Sequence, residues 1–252
     1  MTNLIFNGKV LYLLATKSIN RYIMKNCNLC LIRHLNALKE LSKEELDRIS
    51  QYKKVQHYKK GDVLLREGQS MNGVYCIMSG KGKLTRYNSL GKEQIVRFIK
   101  SGNLIGYRSA ISNEPPSLNL TALEDMTACF IPKEAFDEAL DNRKFSRRVM
   151  EMLSEDLKQA NLFIANISQH TVKERLADTL LHLEEVFGTD KEGNINIALS
   201  REELSSIIGT ASESVIRVLS AFKKEGIIYT KAKKIKLLDK QKLHQIAEGI
   251  IS

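Results

Sequence analysis

The sequence has no long run of apolar residues. A helix needs about 20 consecutive apolar residues to cross a bilayer, and no stretch of this 252-residue chain approaches that length. One short apolar run near the N-terminus, Val10–Ala15, lacks the length and the small-residue cleavage site of a secretory signal. The sequence therefore predicts neither a membrane-spanning protein nor a secreted one.

Cysteine is scarce, with four residues in the chain. A secreted disulfide scaffold carries more cysteines and a signal peptide, so this number indicates a reducing cytoplasm. Two of the four, Cys27 and Cys30, form a CxxC pair in a predicted N-terminal extension over residues 1–34. Met24 lies just before this pair and is an alternative translation start, which would make residues 1–23 an over-read leader.

Catalytic motifs are absent as well. No GxSxG, HExxH, P-loop or dinucleotide-binding pattern occurs, and the five histidines have no metal-ligand spacing. What the chain has in excess is positive charge, with a formal net charge of +10. A basic protein of this kind binds phosphates, either of a nucleic acid or of an anionic membrane surface. The sequence predicts a binding protein rather than an enzyme.

Between Val55 and Ile131 the sequence has the pattern of a β domain. Short apolar or alternating runs are separated by glycines, which is typical of strands joined by tight turns in a barrel or sandwich. Upstream of it, Ser42 and Glu45 form a capping box that predicts a helix. Downstream, Pro132 is predicted to open another helix at its first turn. The predicted strands are residues 63–65, 74–78, 83–87, 94–99, 119–123 and 127–131.

A long helix is predicted from about residue 144 to residue 167, a stretch without proline or glycine. One side of this helix carries an apolar stripe about 30 Å long. The β domain alone is too small to cover it, so we expect a partner helix in a homodimer to do so. A second helix is predicted to follow and to end at Gly188. The stripe on the long helix consists of apolar residues at three- and four-residue steps: Val149, Met152, Leu153, Leu157, Ala160, Phe163, Ile164 and Ile167.

The stretch Ser200–Gly226 has the pattern of a helix-turn-helix. Ser200 and Glu203 form a capping box that starts the first helix. Gly209 ends this helix, and a second one is predicted from about Ser212.

The second of these helices directs Glu213 and Arg217 outward, one turn apart. An arginine can donate to guanine and a glutamate can accept from cytosine, so this face suits a major groove. The alternative is a solvated salt bridge between two packed helices. A two-stranded wing is predicted to follow, with Lys233 and Lys234 in its turn, and residues 217–242 carry nine basic residues against two acids. This basic patch is suited to phosphates and favours DNA binding.

The order of a glycine-punctuated β domain, a long helix and a winged helix-turn-helix resembles the cyclic-AMP receptor protein/Fnr family of bacterial transcription regulators. The resemblance runs from about Leu35 to Leu243. Four motifs carry it: GDVLLREGQ at Gly61, YCIMSGKGKL at Tyr75, GKEQIVRFIKSGNLIG at Gly91, and Ser200–Gly226. It implies an α+β fold: a double-stranded β-helix (jelly-roll) effector domain of the cyclic-nucleotide-binding type over 35–142, a dimerisation helix over 143–168 and a winged helix-turn-helix DNA-binding domain over 169–252.

The resemblance also implies roles on the second helix of the helix-turn-helix. In this family a glutamate and an arginine four residues apart read the core of each half-site, and here these are Glu213 and Arg217. Ser212 takes the position that tunes the outer base, Ser214 is placed for a phosphate and Ile216 for a thymine methyl. The implied partners are a palindromic operator in double-stranded DNA, a second copy of the chain and RNA polymerase.

The effector site departs from the family's pattern. Members that bind cyclic AMP have a glutamate for the ribose where Tyr107 stands here, and an arginine for the phosphate where Ser117 stands. Arg108 lies on the other side of the loop, so a cyclic phosphate would lack its cationic partner. An effector bound around Gly106, Tyr107, Arg108 and Ser117 is therefore not expected to be cyclic AMP.

The cysteines do not by themselves decide which signal the protein senses. The oxygen-sensing branch of the family holds an iron–sulfur cluster with three N-terminal cysteines and one in the β domain. Cys27, Cys30 and Cys129 match three of these positions, and Asn36 stands where the third N-terminal cysteine belongs. The alternatives are a thiol switch, haem or another small molecule, or cysteines that only pack, with Cys76 and Cys129 as core residues of strands.

The sequence as a whole predicts a homodimeric, sequence-specific transcription regulator controlled by an effector or redox signal sensed in the β domain. The alternative is a module that binds any nucleic acid, or a membrane surface, without regulatory switching. Glu213 favours the transcription regulator over this module. A glutamate can accept a hydrogen bond from cytosine, whereas it is repelled by an anionic surface.

Overall fold

The computed structural model describes residues 26–251. They form two compact units. The first comprises the described residues up to Leu84 together with Phe98–Ser154, and the second comprises Thr85–Arg97 and the residues from Glu155 onward. In this described part of the chain, no helix is long and apolar enough to span a bilayer.

The described chain begins with three short 3-10 helices, Cys27–Leu29, Leu31–Leu35 and Ala37–Glu40. The first α-helix, α1, spans Lys43–Tyr52 and has the predicted capping box. The Glu45 amide donates to the Ser42 hydroxyl at 3.3 Å, and the Ser42 amide donates to the Glu45 carboxylate at 2.7 Å. The alternative translation start at Met24 and the apolar run that precedes it lie outside the described residues.

The β domain consists of two four-stranded sheets, with strand orders β1-β8-β3-β6 and β2-β7-β4-β5. The predicted runs account for six of these eight strands. The sequence pattern does not predict the other two, because β1 is largely polar and β6 has two residues. The strands are β1 Lys54–Tyr58, β2 Val63–Leu65, β3 Gly73–Ser79, β4 Lys81–Tyr87, β5 Glu93–Lys100, β6 Leu104–Ile105, β7 Asn119–Ala122 and β8 Met126–Pro132. A short helix, α2, spans Tyr107–Ser112 after β6.

The two faces of β3 belong to different apolar clusters. Side chains alternate along a strand, so Val74, Cys76 and Met78 lie in one cluster and Ile77 lies in the other. The cluster of Ile77 draws its residues from both sheets and fills the interior of the β domain. The cluster of Cys76, which we call the outer core, also contains buried residues of the 3-10 helices, α1 and the helix that follows β8.

That helix, α3, spans Lys133–Leu140. Pro132 is the last residue of β8 and the N-cap of α3 rather than its first helical residue, which corrects the predicted position by one residue. The long helix α4 spans Arg143–Gln169 without interruption. Its apolar stripe is not uniform: Val149 is buried in the outer core, whereas Leu157 is 64% exposed.

The C-terminal elements confirm the predicted helix-turn-helix and wing. They are α5 Val172–Phe187, α6 Arg201–Ile208, α7 Ser212–Lys224, β9 Ile228–Lys231, β10 Lys234–Leu237 and α8 Lys240–Ala247. The Ser200 capping box is present, with the Glu203 amide 3.1 Å from the Ser200 hydroxyl. Strands β9 and β10 pair antiparallel, with Lys231 opposite Lys234. Residues 232 and 233 therefore form the turn of the wing. Lys234, predicted to lie in that turn, is instead the first residue of β10, because it pairs with Lys231.

Candidate DNA interface and cysteine core

The turn of the helix-turn-helix depends on Gly209. This residue is the C-cap of α6 and has φ +66° and ψ 49°, a left-handed conformation that disfavours residues with a side chain. The hydroxyls of Ser205 on α6 and Ser212 on α7 lie 3.0 Å apart and join the two helices across the turn. The turn and this hydrogen bond fix the direction in which α7 leaves α6.

The second helix, α7, presents the predicted reading residues to solvent. Val215, Leu219 and Phe222 are buried, and Glu213, Ile216 and Arg217 are exposed. Residues three and four positions apart share one helix face, so the structure brings these three exposed side chains together. Ser214 and Ser212 are half-buried, and the Ser212 hydroxyl is directed to Ser205.

The wing places its two predicted phosphate-binding lysines in different surroundings. Lys233 is exposed in the turn, next to Ala232, which has φ +52°. The Lys234 ammonium lies 3.3 Å from the Asp190 carboxylate and 3.0 Å from the Glu192 carboxylate. Lys234 is thus held by acids of the loop after α5, and sequence reasoning did not find this pairing because the partners are more than 40 residues away.

Asp190 organises that loop. The side chain and the backbone amide of Asn194 both donate to its carboxylate, at 2.9–3.1 Å. These hydrogen bonds, followed by the one from Lys234, lower the pKa of Asp190 to about 2. The ionised carboxylate therefore persists at any pH near neutrality, and Lys234 keeps its partner there.

The residues predicted to line an effector pocket do not share one environment. Tyr107 is buried in the outer core. Arg108 donates to the Glu114 carboxylate at 2.8 Å and to the Pro115 carbonyl at 3.2 Å, and Ser117 is exposed. Tyr107 thus differs in burial from Arg108 and Ser117, and an effector site around these residues stays a prediction.

Gly106 has a structural role at the start of α2. It is the N-cap of this helix, with φ +90°. A Cβ at this position would lie 2.1 Å from the Met71 Cε atom, which is the movable end of a flexible side chain, so it is the positive φ that requires glycine.

All four cysteines are buried and free. Burial raises the pKa of Cys76 to about 12 and that of Cys129 to about 11. Since the thiolate is the nucleophile and the protonated thiol is not, these two thiols are unreactive at neutral pH without a metal. The Cys129 thiol lies 3.1 Å from the Met78 sulfur. These environments argue against a thiol switch built on Cys76 or Cys129.

The cysteines that match the iron–sulfur pattern belong to one apolar cluster. Cys27, Cys30 and Cys129 are all members of the outer core. Among residues 26–251, no three His, Cys, Asp or Glu side chains are arranged to hold one metal ion. A four-iron cluster has a different requirement, because its thiolates bind at separate irons. The soft, buried thiols of this core suit such a cluster.

Both halves of the chain match known protein families. Residues 55–143 match the cyclic nucleotide-binding domain family, and residues 174–246 match the Crp-like helix-turn-helix domain family. The chain is 29% identical over 230 residues to the transcriptional activator protein Anr of Pseudomonas protegens, covering 90% of this chain and 94% of Anr. It is 27% identical over 226 residues to the fumarate and nitrate reduction regulatory protein of Escherichia coli K12, covering 88% and 90% of the two chains.

Solved structures share the fold. The structure of FixK2 from Bradyrhizobium japonicum matches with a TM-score of 0.69 and 24% identity, covering 77% of this chain and 96% of that one. A nucleotide-binding-type β domain followed by a long helix and a winged helix-turn-helix defines a class of DNA-binding transcription regulators, not enzymes. Over most of its length the chain is similar to regulators of the Crp/Fnr family of this class.

Proposed function

We propose that this regulator acts as a homodimer that reads a palindromic operator through Glu213 and Arg217, under the control of an iron–sulfur signal in its β domain. The observation that carries the DNA-reading part is the exposed face of α7. Glu213, Ile216 and Arg217 share this face, while Val215, Leu219 and Phe222 anchor the opposite side of the helix.

The chemistry of the exposed face distinguishes bases. Arg217 can donate two hydrogen bonds to a guanine, Glu213 can accept from a cytosine amino group, and Ile216 can contact a thymine methyl. Lys233 and Lys234 in the wing, together with Ser214, contribute contacts to the phosphate backbone. The base contacts give specificity, and the phosphate contacts give affinity that falls with salt.

A second copy of the chain is the proposed partner of α4. Met150, Leu157 and Ile164 are 60%, 64% and 65% exposed and recur every seven residues. Ala160 and Ile167 follow Leu157 and Ile164 by three residues, at the complementary positions of a heptad, and both are exposed. This spacing is that of a two-stranded coiled coil, in which an identical helix covers the seam.

Dimerisation sets the form of the operator. Two recognition helices related by a twofold axis enter successive major grooves about 34 Å apart, so the two half-sites are inverted repeats one helical turn apart. RNA polymerase is the further partner that we propose, since a transcription regulator acts on it at the promoter.

The signal that we propose is an iron–sulfur cluster held by Cys27, Cys30 and Cys129. When bound, such a cluster supplies sensitivity to oxidants and to reduction potential. The protein contributes buried thiols and an apolar surround that limits access of water. Cyclic AMP is not the proposed effector, because Arg108 is paired with Glu114 and Ser117 stands where the cationic partner of the phosphate belongs.

Selection of binding sites from random duplexes, followed by footprinting, tests the DNA-reading proposal. We expect an inverted repeat with guanine–cytosine pairs at fixed positions in each half, protected over two half-sites about one helical turn apart. Salt-sensitive binding to every duplex without a preferred site would instead identify a non-specific module. Anionic vesicles without DNA serve as a third ligand, and preferential binding to them would contradict the proposal in favour of a membrane-surface module.

A further inference from the structure

All four cysteines of the chain converge on the outer core. Cys27 and Cys30 come from the N-terminal segment, Cys76 from β3 and Cys129 from β8. Each is at most 7% exposed. Cys76 and Cys129 lie directly opposite each other in the β3–β8 ladder, so their side chains project from the same face of the sheet. A complete set of free thiols gathered from three elements has the composition of a metal-binding site.

Cys76 lies next to the position of the missing N-terminal thiolate. Asn36, which stands in that position, donates from its side-chain nitrogen to the Cys76 sulfur at 3.3 Å. Two further hydrogen bonds orient the Asn36 side chain. Its oxygen accepts from the Leu38 amide at 3.0 Å, and its nitrogen also donates to the Ile32 carbonyl at 3.5 Å. Asn36 is 5% exposed, so water does not compete for these contacts.

We infer that Cys76 supplies the fourth thiolate of the iron–sulfur site formed with Cys27, Cys30 and Cys129, and that Asn36 donates a hydrogen bond to its sulfur. The inference rests on the proposed iron–sulfur signal. Four thiolates complete the ligand set of a [4Fe–4S] cluster, which three leave one short. A hydrogen bond to a ligating sulfur stabilises its negative charge and raises the reduction potential of the cluster.

Anaerobic reconstitution of the full-length protein with ferrous iron and sulfide tests the ligand set. Iron, acid-labile sulfide and visible absorption are measured per chain. We expect equal iron and sulfide in the wild type, and about tenfold less of both in Cys76→Ala. Val74→Ala is the matched control, because Val74 is fully buried on the same face of β3 and the substitution removes more core volume without removing a thiol. It is expected to keep the cluster.

Two variants of Asn36 distinguish ligation by Cys76 from packing. Asn36→Cys places a thiol beside residue 76, so in the Cys76→Ala background it is expected to restore the cluster. Asn36→Ala leaves the four thiols and removes the donor, and we expect it to shift the reduction potential and to weaken cluster retention by about 10–100-fold.

The outcomes separate this inference from the proposed function. A full cluster in Cys76→Ala would overturn the role of Cys76 and leave the iron–sulfur signal in place. A wild-type protein that stays colourless, or takes up zinc without sulfide, would overturn the iron–sulfur signal itself, and specific DNA binding would be judged separately by footprinting. Loss of the cluster in Val74→Ala as well as in Cys76→Ala, without rescue by Asn36→Cys, would identify a packing effect and also reject the inference.

Discussion

The backbone amide of Ile95 donates a hydrogen bond to the Ser206 hydroxyl at 2.9 Å. The same hydroxyl donates to the Glu93 carbonyl at 2.8 Å, and Gln94 donates from its side chain to the Ser206 carbonyl. These contacts join β5, an edge strand of its sheet, to α6, the first helix of the helix-turn-helix, within the second unit. An edge strand has unpaired backbone groups, and here one serine side chain satisfies two of them.

We predict that Ser206→Ala destabilises this contact. The buried Ile95 amide and the Glu93 carbonyl each lose a partner, which costs about 1–3 kcal/mol. Hydrogen exchange followed by mass spectrometry should show faster exchange in residues 93–95, and thermal unfolding should show a lower Tm. Ser220→Ala is the control, because the Ser220 hydroxyl donates within its own helix to the Ile216 carbonyl. Equal effects of the two substitutions would contradict the role assigned to Ser206.

Arg217→Ala is predicted to relax sequence specificity at one position of each half-site. The arginine is exposed on α7, and loss of a bidentate contact to guanine costs about 1–3 kcal/mol. Titration of operator variants that differ at each base pair measures this effect. If Arg217→Ala weakened binding to every duplex equally, Arg217 would be a phosphate contact and not a base contact.

The two lysines of the wing provide a matched pair. Lys233→Ala is predicted to weaken binding to all sequences and to reduce the slope of log K against log salt by about 1 for each half-site. Lys234→Ala is predicted to have a smaller effect on affinity, because the Lys234 ammonium is already paired with Asp190 and Glu192. Binding isotherms at several salt concentrations test both. An equal loss of slope in the two variants would show that Lys234 leaves its carboxylate partners on DNA.

Leu157→Glu is predicted to weaken the proposed homodimer. Leu157 is 64% exposed at the centre of the heptad positions of α4. Losing the burial of one leucine per chain costs about 1.5–3 kcal/mol, so the dimer Kd should rise by at least about tenfold. Sedimentation equilibrium measures the change. Gln159→Glu adds the same charge outside the seam and should leave the Kd unchanged, and a comparable rise there would indicate a general charge effect.

We predict that Asp190 makes the stability of the second unit depend on pH. Its pKa is lowered to about 2 in the folded protein from an ordinary value of 3.8. A group with a depressed pKa stabilises the fold above its ordinary pKa, and this contribution is lost as the pH falls through the folded value. Between about pH 4 and pH 2 the wild type should therefore lose stability more steeply than Asp190→Asn. Thermal unfolding across this range tests the prediction.

Asn194→Ala is the companion variant for Asp190. It keeps the carboxylate and the backbone amide at 194 but removes the side-chain donor, which is the largest cause of the low pKa. The Asp190 pKa, followed by NMR, should rise toward its ordinary value. An unchanged pKa would show that the backbone amide and Lys234 suffice to hold the carboxylate ionised.

The sequence by itself determined the secondary structure of the DNA-binding half. The capping box at Ser200, the glycine at 209 and the three- and four-residue apolar steps are local signals, and they predict α6, α7 and the wing close to their observed bounds. The exposure of Glu213 and Arg217 follows from the same periodicity, because the buried positions of a helix determine the opposite face.

The tertiary structure alone decided which distant residues meet. Cys76 and Cys129 are opposite each other because of the register of β3 on β8, and register depends on the packing of the whole sheet. The same holds for Asn36 beside Cys76 and for Ser206 on the edge of β5, pairs separated by 40 and 111 residues. No local signal encodes such a pairing, since many registers satisfy the same alternation. The full set of four thiols could therefore be recognised only once the strands were in place.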